Sequence, residues 1–272
     1  MEAAILFIIL AGVFMVIFAG NRKEIRFSKA PSPDTTLPSY HLYRGKDLEF
    51  SDTVLHHVCE KYNPYFRALS SDKKWLFLER LRHFLSLKDF YVVGGDAYKE
   101  MPILISAAAT QISFGLQEYH FPHFSSIIIH PQEYIAYDPL RILIGNVQGS
   151  SITLSWKHFL EDYQNPSDGK NVGLHEMAHA LQVQYLFQNY GYRNEFSTDY
   201  VHYDRIDDEV LLSEKSNHSS LFDDNALSNP NEFWATSVEL FFERSREFYA
   251  RHPRLYLSIV MVLNQDPITL GI

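Results

Sequence analysis

One cysteine, Cys59, stands in a chain of 272 residues. No disulfide can form within the chain, no cysteine-rich zinc module can be built, and any metal site has to draw on His, Asp or Glu. The single thiol fits a reducing compartment. Positive charge is also scarce: 24 Lys and Arg face 33 Asp and Glu, a net charge of −9. That deficit argues against a nucleic-acid footprint. Internal repeats are absent. Apolar and aromatic residues are plentiful, with 46% hydrophobic residues, 20 Phe and 17 Tyr. This content excludes a mainly disordered chain and is enough for one domain with a sizeable core, or two small ones.

One long hydrophobic run stands at the start, residues 3–20 (AAILFIILAGVFMVIFAG). As a helix rising ~1.5 Å per residue it would span ~27 Å, close to the hydrocarbon thickness of a bilayer. Met1 and Glu2 do not make the positive n-region of a signal peptide, and a small-x-small cleavage site is missing. The basic residues follow the run: Arg22, Lys23, Arg26 and Lys29. The positive-inside rule then leaves the C-terminal bulk in the cytoplasm. The expected organisation is a transmembrane anchor over 1–20, a juxtamembrane linker over 21–50 carrying Pro31, Pro33 and Pro38, and a folded domain over 51–272. The expected location is the cell inner membrane, single-pass.

Within the body, Trp75, Leu78, Leu81 and Leu85 recur at helical spacing and predict a helix through 71–86. A tightly packed helix is expected over 106–116. Strands are expected at 127–129, 141–144 and 151–156, the last two joined by a turn containing Gly145, Asn146, Gly149 and Ser150. Helices before and after a small sheet predict an α+β domain.

The chemistry is carried by residues 175–179, His-Glu-Met-Ala-His. Asn171 is placed to cap a helix here, and Leu174, Met177, Ala178 and Leu181 form its apolar stripe. His175 and His179 then lie one turn apart on one face, where two imidazoles can bind one zinc ion. Glu176 beside them can reach a zinc-bound water as a general base. The apolar surroundings make this a buried helix, and burying unpaired His and Glu without a metal is costly. A third ligand is needed, and no His follows at the short metzincin spacing. His202, His218, Asp223, Asp224, Glu232 and Glu239 are candidates. Glu232 and Glu239 lie seven apart on a long amphipathic helix expected over 231–248, where either could also be a solvated face residue.

Further residues carry a resemblance. The segments Leu154-Ser155-Trp156, Asp168-Gly169-Lys170-Asn171-Val172, His175–His179 and Asn229-Pro230-Asn231-Glu232-Phe233-Trp234-Ala235, continuing to Glu239-Leu240-Phe241-Phe242, resemble the Mlc titration factor A family of zinc peptidases. Residues 107–115 (AAATQISFG) and 127–131 (IIIHP) match as well. The resemblance covers roughly residues 60–270. It implies a zincin-like domain similar to the catalytic domain of anthrax lethal factor, a Zn2+ cofactor, and peptide or protein substrates. It implies His175, His179 and Glu232 as metal ligands and Glu176 as the base, and leaves Glu239 a supporting or structural role. The family's repressor partner is matched by no residues here. Two departures stand out. A family Tyr seven residues before the third ligand is Asn225 here, so Tyr200, Tyr203, His202 and His218 are alternative donors to an oxyanion. The apolar N-terminal run is the second.

The expected reaction is hydrolysis of peptide bonds by a zinc-bound water that Glu176 activates. Segment 151–156 is a candidate edge strand for an extended peptide. The acidic stretch Asp199–Asp224 is read as a solvated loop. Two rival readings are a membrane-anchored, zinc-holding module that binds a protein with little or no turnover, and a zinc hydrolase acting on other bonds.

Overall fold

The computed structural model describes residues 40–137, 140–188, 195–216 and 220–272. The expected anchor over 1–20 and most of the expected linker lie outside these. Among the described residues no helix is long and apolar enough to cross a membrane. The last part of the expected linker is folded: Tyr40–Arg44 forms β1.

After β1 come α1 (Asp52–Tyr62), α2 (Pro64–Ala68), α3 (Ser71–Ser86), β2 (Asp89–Val93) and α4 (Glu100–Ser113). β3 (Ser126–His130), β4 (Tyr134–Tyr137), β5 (Leu140–Leu143), β6 (Gly145–Gln148) and β7 (Ser151–Ser155) follow. The C-terminal part is helical: α5 (Trp156–Gln164), α6 (Val172–Gln188), α7 (Glu195–Glu214), α8 (Pro230–Glu243), α9 (Ser245–Arg251) and α10 (Pro253–Leu263). The domain is thus a mixed α/β fold.

Five strands form one sheet in the order β1-β2-β3-β7-β6. β2, β3 and β7 run parallel, and β1 and β6 close the two edges antiparallel. Alternate residues Phe90, Val92, Ile127, Ile129, Ile152 and Leu154 are buried and form the sheet's core face, as the two-residue period of a strand requires. β4 and β5 make a separate hairpin between β3 and β6.

Two strand expectations change. Residues 140–143 do not pair with 151–156 but with β4, and only Ile144 reaches that segment, its carbonyl accepting from the Ser155 amide at 2.7 Å. The segment read as a turn, Gly145–Gln148, is itself the edge strand β6, so β7 is paired on both sides and is not free to add a peptide. Trp156, placed in that strand by the sequence, opens α5.

α3 coincides with the expected helix, although Trp75 is 67% exposed and the stripe inside is Phe77, Leu78, Leu81, Phe84 and Leu85. α4 starts earlier than expected because Pro102, which has no N–H to donate, is tolerated in a first turn. It is apolar all round and buried along its length, with Thr110 and Ser113 hydroxyls returned to the Ser106 and Ala109 carbonyls. The helix expected over 231–248 breaks at Arg244 into α8 and α9.

Much of the acidic stretch is helix α7 rather than loop. Tyr203, Ile206, Asp207 and Leu211 form its buried stripe. The Tyr203 hydroxyl donates to Asp207 Oδ1 at 3.0 Å, and burial pushes the Asp207 carboxyl up to about 7. A carboxyl raised in the fold is most favourable below its unfolded value near 4, and that stability is lost as pH climbs towards 7. Asp207→Asn can keep the Tyr203 hydrogen bond without the buried charge. Thermal melts from pH 5 to 8 should show the variant gaining on the order of 2 kcal/mol over the wild type across that range. Parallel melting curves for the two proteins would contradict the burial of an ionising carboxylate here.

Candidate metal centre

α6 begins where the sequence places its cap: Asn171 Oδ1 accepts from Leu174 N at 3.0 Å. The helix is packed between α4, the β6–β7 edge of the sheet, and α8. α8 is capped by Asn229, whose side chain accepts from the amides of Asn231 and Glu232. Trp234, fully buried, donates its indole N–H to the Ala178 carbonyl at 2.9 Å. This bond ties the middle of α6 to the first turns of α8 and fixes how far apart their side chains stand.

Three of those side chains meet. His175 Nε2 and His179 Nε2 are 3.1 Å apart. Glu232 Oε2 lies 3.3 Å from His175 Nε2, and Glu232 Oε1 lies 3.6 Å from His179 Nε2. Donors held ~2.1 Å from a tetrahedral cation are ~3.4 Å from one another, so the three spacings fit the edges of such a shell. Among the described residues these three are the one group of His, Cys, Asp and Glu that converges closely enough to hold an ion. Two imidazoles and a carboxylate suit zinc and other first-row divalent ions.

The surroundings favour positive charge. Glu239, 9% exposed at its side chain, points one oxygen at His175 Nδ1 (3.2 Å), and its other oxygen accepts from the Asn171 amide at 2.7 Å. The carboxylate thus fixes the ring so that Nε2 faces Glu232. Burial opposes a proton on His175, but the Glu239 charge and the hydrogen bonds to Glu232 and Glu239 outweigh it and hold its pKa well above the imidazole range. Hydrogen bonds from His175, then His179, hold the Glu232 carboxyl well below the usual carboxylate range. Glu176 is 4% exposed, and burial pushes its carboxyl up to about 8. Its Oε2 is buried with no hydrogen-bond partner. Its other oxygen leaves no room at Gly145, where an added Cβ would sit 2.1 Å from Glu176 Oε1. Three carboxyl groups around two rings leave an excess of negative charge that a divalent cation would neutralise, taking the place of the proton on His175.

The site lies in a cleft of about 1080 Å³ walled by Arg141–Val147 on one side and by α6 and α8 on others. The remaining candidates divide as follows. Asn225 lines the cleft and donates its amide to Glu232 Oε2 at 2.9 Å. Asp223 lines it too, but its carboxylate accepts from the Ala226 amide. Tyr200 takes a hydrogen bond from Gln182, and Tyr203 is buried against Asp207, away from the cleft. His202 and Asp224 are exposed and do not line the cleft, and His218 lies outside the described residues. The close approach of Gly145 to Glu176 has no counterpart in the sequence analysis, whereas the hold of Glu239 on His175 gives the supporting role implied for it a definite partner. The seven-residue spacing of Glu232 and Glu239 is the sequence sign of that role.

Residues 43–262 match the family described as glucose-regulated metallo-peptidase M90, and the chain belongs to that family. The fold and the site therefore define a metallopeptidase-family domain. A relative in Synechocystis sp., the uncharacterized protein slr2042, is 24% identical over 213 residues, covering 71% of this chain and 77% of its own.

If Glu239 orients His175, Glu239→Gln should weaken metal binding by about 10–100-fold while leaving the fold intact. Competition with a chelator of known affinity, alongside circular dichroism, measures both. Unchanged affinity would reduce Glu239 to a helix-packing residue.

Proposed function

We propose that this protein is a zinc-dependent peptidase with a zincin-like catalytic domain. Its ligands are His175, His179 and Glu232, and its general base is Glu176. The observation that carries this reading is the triangle of Nε2, Nε2 and carboxylate with the buried, unpartnered oxygen of Glu176 one residue away. Bound there, zinc supplies Lewis acidity, which lowers the pKa of water towards ~7 and polarises a carbonyl. Glu176 takes the proton of the attacking water and returns it to the leaving amine. A cation beside Glu176 favours its carboxylate form, which is the form a base needs. Glu239 keeps the His175 ring in place through Nδ1.

β6 supports an extended peptide substrate. It ends the sheet, no further strand pairs with it among the described residues, and its first residue touches Glu176. A substrate strand laid along β6 would bring its backbone to the base, with main-chain hydrogen bonds aligning it. Gly145 permits the close approach of base and strand.

A second reading has one observation in its favour. The amide of Asn225 is engaged by Glu232, whereas the family resemblance implies a phenol at that position. A domain without that donor could hold metal and bind a protein partner with little turnover. Glu176→Gln separates the two readings. The enzyme reading expects unchanged metal content and a fall in peptide cleavage of about 100-fold or more. Wild type and variant equally inert on a broad peptide library would favour the binding module.

We also propose that residues 1–20 anchor the chain in the inner membrane with the catalytic domain on the cytoplasmic side. The support is the apolar run and the basic residues that follow it. A C-terminal tag should then be digested by protease in inside-out vesicles and protected in right-side-out ones. The reverse pattern would place the domain on the other side.

A further inference from the structure

The β4–β5 hairpin does not join the main sheet, yet it carries a concentration of exposed apolar side chains. Ile135 is 54% exposed, Leu140 75% and Ile142 72%. Ile135 and Ile142 are directly opposed in the antiparallel register, so their side chains lie together on one face of the ribbon. Leu140 is two residues from Ile142 and shares that face. Ile144, 45% exposed, continues the apolar character into β6. Solvated hairpins normally turn polar residues outward, and a contiguous apolar face marks a surface that something covers.

The position of this face says what covers it. Ile142, Leu143 and Ile144 line the cleft that holds His175, Glu176, His179 and Glu232. The chain runs from β5 into β6 with one residue between, and β6 pairs with no further strand among the described residues and has Gly145 against Glu176. A strand bound along β6 would extend towards the hairpin, and its side chains would meet Ile142 there. We infer that Ile142, where the cleft lining meets the apolar hairpin face that it shares with Ile135 and Leu140 just outside the cleft, makes this face a specificity surface, selecting peptides with bulky apolar side chains next to the cleaved bond. This rests on the peptidase reading for the bond broken, but the recognition is a binding property in its own right.

Binding and cleavage are therefore measured separately on the full chain. Zinc-loaded Glu176→Gln is titrated by fluorescence anisotropy with labelled peptides that carry Leu or Phe, or Ser or Gly, on either side of one central bond. The apolar set should bind about tenfold or more tightly than the polar set, the scale of discrimination a few methylenes in an apolar pocket provide. Adding Ile142→Asn, or separately Ile135→Asn, should bring that ratio close to one. Both side chains are largely exposed, so the folded domain tolerates either change, and circular dichroism checks it. An equal affinity for both peptide sets before substitution, or a ratio that survives both substitutions, overturns the inference. Wild-type turnover of the same peptides reports on the peptidase reading alone: preserved discrimination in binding with no cleavage would sink that reading and leave the hairpin assignment standing. Ile142→Trp supplies the last discrimination. Its emission, taken as the difference from the parent protein, should shift to the blue on adding apolar peptide. A blue shift produced by phosphatidylethanolamine–phosphatidylglycerol vesicles without peptide would assign the face to a bilayer surface and overturn the inference.

Discussion

Glu176, Glu232 and Glu239 crowd around two imidazoles in a pocket mostly withdrawn from water. Charges of one sign in such a place are expensive, by several kcal/mol each when uncompensated. The balance shifts towards bound protons: the neighbouring carboxylates hold the His175 pKa well above the imidazole range against its burial, and burial pushes the Glu176 carboxyl up to about 8. A divalent cation held by His175, His179 and Glu232 would neutralise the same excess of negative charge.

Holding that pocket together is a matter of two helices. α6 supplies the rings and Glu176, and α8 supplies the two carboxylates that face them. Neither helix could set the distance by itself, because Glu232 is 53 residues beyond His179 along the chain. Trp234 sets it, through its bond to the Ala178 carbonyl one residue before His179, and Glu239 reinforces it by gripping both the Asn171 amide and the His175 ring. The start of α6 is pinned again from α5, where Asp162 accepts the Val172 amide. The residues that make the motif chemical are thus oriented by residues whose own roles are wholly structural.

How far the sequence discloses this depends on the range of the interaction. α3 and α6 were legible because a 3.6-residue apolar stripe and an Asx cap act within one turn. The convergence of Glu232 on the histidines was reachable through the family resemblance, since periodicity alone leaves Glu239 on the same face. β6 was not legible: Gly145 and Asn146 have poor strand propensity, and they are extended because β7 pairs with them. β1 was hidden for the same reason, its pairing with β2 bridging some 45 residues of chain. α7 is a different kind of miss. Tyr203, Ile206, Val210 and Leu211 do recur at helical spacing, and the density of Asp and Glu drew the reading to solvent instead. The exposure of Trp75 shows the converse, a residue on the helical period that falls just outside the buried sector.

Asn225 is where structure and family diverge most usefully. An amide is not an acid at neutral pH, and here one of its protons is committed to Glu232 Oε2, so it braces the Glu232 carboxylate. Tyr203 and Tyr200 do not stand in, since neither lines the cleft and Tyr203 is buried with its hydroxyl given to Asp207. Charge developing on a cleaved carbonyl would then be met by the ion and by whatever main-chain N–H groups β6 presents. That arrangement depends more heavily on substrate alignment than one with a phenol in reach, because main-chain donors act only when the peptide is seated in register. An apolar surface at the mouth of the same strand is the feature such a site would need: binding energy gathered at Ile142 and its neighbours would hold a peptide in the register in which the proposed chemistry works.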